Sequence, residues 1–334
     1  TPAGLAAELV DRFRAEFDID LDQMEAEELF DDAMPEAQSS RPALVESVRP
    51  ERLPLSYSQL AAWFQYRIEG AHEGFNMPFA LRVEGPLDTA ALTEALNDVV
   101  ARHEPLRTNF IEHEGVPYQT VLSKVHVDVP ISKITADRFD ETVAELRRHV
   151  LTPERGPLIS ATLLVLDSDK HVLFLIVHHI VSDHASLGIL SEDLICAYRA
   201  RLRGKPPQWA TLPIQFADYA LWQRNAFDTS SGWGRAELAH WREALAGSPD
   251  VISVAPEHSR PPVLGKRGKV ASFTVSAARR SALTELAEQN SATEFMVYQA
   301  VLAAVLHKLG GGTGNAIGSP VASRVESATT HFLR

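Results

Sequence analysis

A single cysteine, Cys196, stands among the 334 residues of this chain. A lone thiol excludes an internal disulfide and a thiolate metal cluster. Its place in an apolar helical period predicts a buried side chain rather than a nucleophile. No apolar run is long enough to span a bilayer, and the sequence as it begins carries no signal-peptide pattern. Both point to a cytoplasmic chain that does not enter a membrane. Basic charge is in deficit, with 32 lysines and arginines against 44 aspartates and glutamates, a net of −12. A nucleic acid backbone would be repelled by that balance. No period repeats along the chain, and strands and helices do not alternate in a βαβ rhythm. Rossmann and barrel readings are therefore poor.

What is present is the composition of a globular chain, 45% hydrophobic and 23% charged, long enough for two lobes. The acidic excess is local. Asp11–Glu36 holds 11 acidic residues against Arg12 and Arg14, so −9 of the −12 falls there. Residues 1–36 read as an acidic helical segment, with Leu5, Leu9, Phe13 and Phe17 at helical spacing. Residues 37–52, rich in Ser, Pro and Arg, read as a linker, and the globular body starts at Leu53.

Within the body Phe75–Val83 reads as a strand. Asp88 caps a helix whose apolar face is Ala91, Leu92, Ala95, Leu96, Val99 and Val100. Pro117–Leu122 and Val125–Val129 read as short strands, and Ala136–Val150 as an amphipathic helix. Ile159–Asp167 and His171–Val177 form a hairpin around Ser-Asp-Lys. Phe216–Arg224 and Trp233–Leu245 read as helices and Val270–Val275 as a strand. Ser276 caps a helix to Asn290, and Thr293 a more apolar one to Leu309. Ala316–Ala322 has the character of a strand or extended loop.

One stretch carries chemistry. In HVLFLIVHHIVSDHAS, His171–Ser186, an apolar run suited to a strand buried on both faces stops at His178 and His179. Asp183 follows, and a helical period of Leu187, Leu190, Leu194 and Tyr198 begins at Ala185. Two imidazoles and a carboxylate thus sit on a short turn between rigid elements, the placement that catalysis requires.

HHIVSD resembles the HHxxxDG signature of nonribosomal peptide synthetase condensation domains, members of the chloramphenicol-acetyltransferase-like superfamily. Four further segments agree, in order: PLSYSQLAAWF (Pro54–Phe64), RHEPLRTNF (Arg102–Phe110), FADYALWQ (Phe216–Gln223) and IGSPVASR (Ile317–Arg324). Residues 1–36 resemble the later helices of a peptidyl carrier protein, but no phosphopantetheine serine accompanies them; an acidic helical linker is the other reading. The resemblance implies an α/β fold, an α+β two-layer sandwich built as a pseudo-dimer of two lobes with a channel between them. Residues 53–226 would be the N-terminal lobe with the HHxxxD motif, and 227–334 a partial C-terminal lobe.

The implied reaction is attack of a carrier-tethered amine on a carrier-tethered thioester. The substrates ride on phosphopantetheine arms of donor and acceptor peptidyl carrier proteins beside an adenylation domain, and no cofactor is bound directly. His179 is the expected catalytic residue, as base or as positioner of the amine. His178 supports the turn, and Asp183 pairs with Arg324 to fix it. His184, Ser186 and Arg107 belong to the channel and its positioning network; no metal set is read. His184 departs from the family glycine and is expected to narrow the channel. Alternatives are a non-catalytic condensation-like domain that recruits a tailoring enzyme, which His184 favours, an epimerization domain lacking a placeable glutamate, and an acyltransferase using soluble thioesters. Heterocyclization, which needs aspartates where this chain has His178 and His179, is disfavoured.

Overall fold

In the computed structural model of the chain, residues 42–228, 232–249, 252, 254, 271–312, 316–319 and 333 are described. They fall into two compact units, a larger one over residues 42–235 and a smaller one over residues 236–319. Leu333 joins the core of the larger unit.

The larger unit begins with strand β1 (Leu53–Pro54) and helix α1 (Tyr57–Glu69). The S-x-x-Q spacing of the first motif segment is a capping box: Ser56 Oγ accepts from the Gln59 N–H and the Gln59 side chain accepts from the Ser56 N–H. Gln59, Trp63 and Tyr66, spaced at one and two turns, form the buried face of α1. Strand β2 (Asn76–Glu84) leads to helix α2 (Thr89–Arg102), capped by Asp88 and buried along the six apolar positions expected. Strands β3 (Thr108–His113) and β4 (Val116–Val121) form a hairpin whose two-residue loop, Glu114 and Gly115, has φ of 53° and 79°. Positive φ at both loop positions is what a tight twisted hairpin requires. With β1 they make a sheet in the order β1-β4-β3.

The second sheet positions the site. Strand β5 (Ile131–Lys133) lies parallel to β6 (Ile159–Val165); β6 pairs antiparallel with β7 (Lys170–His178), and β7 with β2, giving the order β2-β7-β6-β5. Every residue of β7 after Lys170 is buried, as the unbroken apolar run requires. On one face Leu173, Leu175 and Val177 enter the main core with α2 and with helix α4 (His184–Arg201). On the other face Phe174 and Ile176 pack on Leu151 and on Val143 and Leu146, which belong to helix α3 (Phe139–Leu146) and its end. A central strand covered on both sides is a stiff base for whatever follows it.

Helix α5 (Phe216–Ala226) lies on the body, and α6 (Gly232–Ala244) follows it in the chain. In the smaller unit α7 (Ala277–Gln289) and α8 (Glu294–Leu306) are capped by Ser276 and Thr293 as expected and share a small core of Leu286, Ala287 and Val297.

Four expectations are corrected. Val125–Val129 pairs with no strand among the described residues, because the Asn97 side chain takes both the N–H and the C=O of Val127, at 2.8 and 2.9 Å. The Ala136–Val150 helix is shorter: α3 stops at Leu146, where the backbone tightens into three-residue turns and the Asn76 amide takes the His149 carbonyl. Residues 271–275 form no strand, with Phe273 exposed and no pairing partner among the described residues. Cys196 is exposed, because the buried stripe of α4 runs through Ser186, Leu190, Leu194, Ala197 and Ala200 and passes it by. Part of the expected linker lies on the body. Pro42 C=O accepts from Trp222 Nε1–H at 2.7 Å, Leu44 packs on Ile214 and Phe216, and Arg49 forks onto Asp218 at 3.0 and 2.9 Å.

Candidate active site

The end of β7 is fixed from both sides before the turn begins. The His178 N–H donates to Leu158 C=O at 3.0 Å, and the His179 N–H donates to Phe75 C=O at 2.8 Å. The turn then closes on itself. His178 C=O accepts from the Val181 N–H and from the Ser182 hydroxyl, each at 3.0 Å. Asp183 ends it as the N-cap of α4, accepting from the Ser186 N–H at 2.8 Å and the Ser186 hydroxyl at 2.6 Å. The Asp183 N–H donates back to Ser186 Oγ. A strand end, a capping box and an internally bonded turn leave little freedom to the side chains between them.

The two histidines are held in opposite tautomers. His178 is buried, 1% exposed, stacked on Phe75 with ring centroids 5.8 Å apart and edge-on to Tyr66 at 6.3 Å. Its Nδ1 accepts the Ile180 N–H at 3.1 Å, so the proton sits on Nε2, which is buried without a hydrogen-bond partner. Burial, with the neighbouring His179 second, pushes its pKa from 6.5 down to about 4. This imidazole is therefore neutral near pH 7. His179 is exposed, and its Nδ1 lies 2.8 Å from Ser182 C=O. A carbonyl only accepts, so Nδ1 carries the proton and the Nε2 lone pair is left for an incoming donor. That is the tautomer a general base or amine acceptor needs.

The other expected site residues are distributed as follows. Ser186 is buried and works as the cap partner of Asp183; His184 is exposed in the first turn of α4. Arg107 donates to Leu122 C=O at 2.5 Å and Ala101 C=O at 3.3 Å, with Glu104 at 3.9 Å. These contacts are with Ala101, Glu104 and the exit of β4, and not with the histidine turn. Arg324 lies outside the described residues. Ser182, Phe75 and Tyr66 were not anticipated. The signal for Tyr66 was present, since it continues the Gln59 and Trp63 period. Ser182 and Phe75 act on His179 through backbone carbonyls, which no residue type advertises.

The RHEPLR segment is tied to this scaffold by charge. Arg102 and His103 both reach Asp193 of α4, at 2.9 and 2.7 Å, and Arg102 lies over the Trp209 ring. Burial holds the His103 pKa below its ordinary value, so the neutral ring donates to the Asp193 carboxylate. Among the described residues no cluster of three His, Cys, Asp or Glu could hold a metal, and no helix is long and apolar enough to cross a membrane.

The histidine pair thus stands at the end of the central strand of a β2-β7-β6-β5 sheet, in the mixed helix-and-sheet fold expected of a chloramphenicol-acetyltransferase-like domain. The Condensation domain family matches residues 50–333, and the chain belongs to that family. It is 39% identical over 339 residues to a probable non-canonical nonribosomal peptide synthetase, CymA, of Salinispora arenicola, covering 97% of this chain and 4% of that protein. It is 40% identical over 297 residues to a dimodular nonribosomal peptide synthase of Bacillus subtilis, covering 87% of this chain and 12% of that protein. The chain thus spans a small part of the curated relatives it matches.

Among solved structures, the X-domain in complex with OxyB from teicoplanin biosynthesis is 33% identical with a TM-score of 0.76, covering 82% of this chain and 61% of that one. The first condensation domain of the CDA synthetase is 23% identical with a TM-score of 0.64, covering 86% and 68%, and shows the shared fold. Condensation domains of nonribosomal peptide synthetases form amide bonds by acyl transfer, in synthetases that also contain carrier and adenylation domains.

Proposed function

We propose that this chain forms an amide bond between two carrier-tethered substrates. The amine nitrogen of the acceptor attacks the donor's thioester carbonyl carbon, the C–S bond breaks, and the sulfur leaves as the donor carrier's phosphopantetheine thiol. His179 Nε2 takes or steers the amine proton, which ends on the departing sulfur. The thioester is already activated, so the protein's share is position and one proton. The observation that carries this reading is the exposed His179 residue, with Nδ1–H committed to Ser182 C=O and no hydrogen bond to Nε2 among the described residues. Asp183, as cap of α4, supports the turn without being asked to touch substrate, and Arg324 is its proposed charge partner. Residues 53–226 and 227–334 are proposed as the N-terminal lobe and a partial C-terminal lobe, with donor and acceptor carriers and an adenylation domain as partners.

The second reading is a non-catalytic domain that recruits another protein. Two observations favour it: the likeness to the teicoplanin X-domain and His184 at the family's glycine position. One assay separates the two. Wild type and His179→Ala are incubated with loaded donor and acceptor carriers, and the product on the acceptor is measured by mass spectrometry. Amide formed by wild type and reduced by at least about a hundredfold in His179→Ala supports catalysis, the range expected for loss of a general base. No product from wild type with both carriers loaded leaves the recruitment reading.

A further inference from the structure

We infer that His72 is a positioning residue for His179, an inference that rests on the proposed function only for its kinetic readout. Helix α1 ends at Glu69, and the chain reverses at Gly70 into a short helical turn, Glu73–Phe75, that delivers it to β2. His72 caps this turn: its Nδ1 accepts the Gly74 N–H at 3.0 Å. The ring proton therefore sits on Nε2, which lies 2.9 Å from Glu69 Oε2 and donates to it. Both nitrogens are satisfied in the neutral ring, which fixes its plane. The ring packs against Phe75, tilted by 39° with centroids 4.6 Å apart.

Phe75 is where the loop meets the site. Its ring stacks on His178, and its carbonyl receives the His179 N–H at 2.8 Å. A satisfied loop histidine would ordinarily be no more than a cap for a three-residue turn. Here the capped turn ends on a residue that holds one histidine by its ring and the other by its backbone. The fit is tight: a Cβ on Gly74 would stand 2.6 Å from His72 Cε1, so the glycine is there to admit the imidazole. Glu69 thus sets the His72 ring, the ring and its cap set Phe75, and Phe75 sets the height of His179 above the strand end. Without that hold, the Nδ1–H to Ser182 C=O contact loosens and the ring is free to take its other tautomer.

The test uses the full chain labelled with ¹⁵N-histidine, with His179 resonances assigned by comparison with His179→Ala. Two variants displace the same ring by different routes: His72→Ala removes it, and Gly74→Ala pushes it aside while leaving it in place. In wild type the His179 ring is expected as a single Nδ1–H tautomer. In both variants a mixture is expected, with kcat for amide formation down about tenfold and KM for the acceptor carrier within about twofold, as a small misplacement of a reacting group produces. If His72→Ala does not fold, Gly74→Ala is read alone. A folded variant with an unchanged His179 tautomer ratio overturns the inference, whatever its kinetics. A shifted tautomer with no amide from wild type upholds the positioning and refutes the proposed catalysis.

Discussion

Acidification should find His178 before it finds most of the fold. This imidazole is buried against Tyr66 and Phe75, its Nδ1 is committed to the Ile180 N–H, and its pKa is held at about 4 against an ordinary 6.5. In the unfolded chain it is free to take a proton below pH 6.5; in the folded chain it resists until about pH 4. Its folded pKa is depressed, so the folded state is progressively disfavoured as pH falls from 6.5 towards 4 and unaffected above 6.5. At about 1.4 kcal/mol per pH unit, the full loss at the acid end is about 3 kcal/mol. His103, also buried with a lowered pKa, adds loss of the same sign, so the measurement has to be a difference. The variant is His178→Asn, whose side-chain oxygen can still accept the Ile180 N–H but cannot titrate. Urea midpoints followed by tryptophan fluorescence at pH 7.5, 6.0 and 5.0 should show wild type losing more than His178→Asn, with the gap opening only below pH 6.5. Parallel pH profiles would refute the assignment of a neutral, burial-depressed imidazole.

Arg49→Ala removes the cation that Asp218 holds across the expected linker. It should cost about 2 kcal/mol, below the 3–5 of a fully buried pair because Arg49 is partly exposed and Asp218 keeps the Gln215 N–H. Trypsin should then cut after Arg52 sooner than in wild type; an unchanged cleavage rate would mean that the segment is held without the ion pair. Asp183→Ala should lower stability by at least about 1 kcal/mol through loss of the α4 cap, and Asp183→Asn, which keeps the cap, only by what the proposed pairing with Arg324 contributes. Equal losses in thermal melts would show that charge rather than capping dominates at Asp183. His184→Gly should raise the condensation rate or widen the range of acceptors, as removal of an obstructing ring would; a slower reaction would make His184 a partner of His179 instead.

Side chains that bury themselves or bond their own helix were legible in the sequence. The run Val172–Val177 suits a strand covered on both faces and forms one, and the six apolar positions of α2 are all buried. The S-x-x-Q segment is matched as a motif, and the structure gives its reason, a capping box at the start of α1. Extended segments were legible only in part, because extension does not name a partner: Val125–Val129 found the Asn97 side chain instead of a strand. The docking of residues 42–49 was out of reach for a different reason. A serine- and proline-rich stretch looks like a linker unless one knows that Arg49 meets a carboxylate 169 residues away.

Adjacent identical residues in this site have opposite chemistry, and the cause is one step of backbone. His178 is the last residue of β7 and keeps the strand's burial; its Nδ1 must serve the Ile180 N–H, so its lone pair is consumed and its Nε2–H is sealed in. His179 is the first residue past the strand and is exposed; its Nδ1–H is consumed by Ser182 C=O, and its Nε2 has no hydrogen-bond partner among the described residues. A buried N–H without a partner costs roughly 1–3 kcal/mol, and the fold tolerates that at His178. A phenylalanine there would avoid the cost, but it could not accept the Ile180 N–H and so could not hold the turn that presents Ser182 C=O to His179. The unsatisfied nitrogen of one histidine is thus tied to the tautomer of the next, so the proposed role of His179 draws on the pair and not on His179 alone.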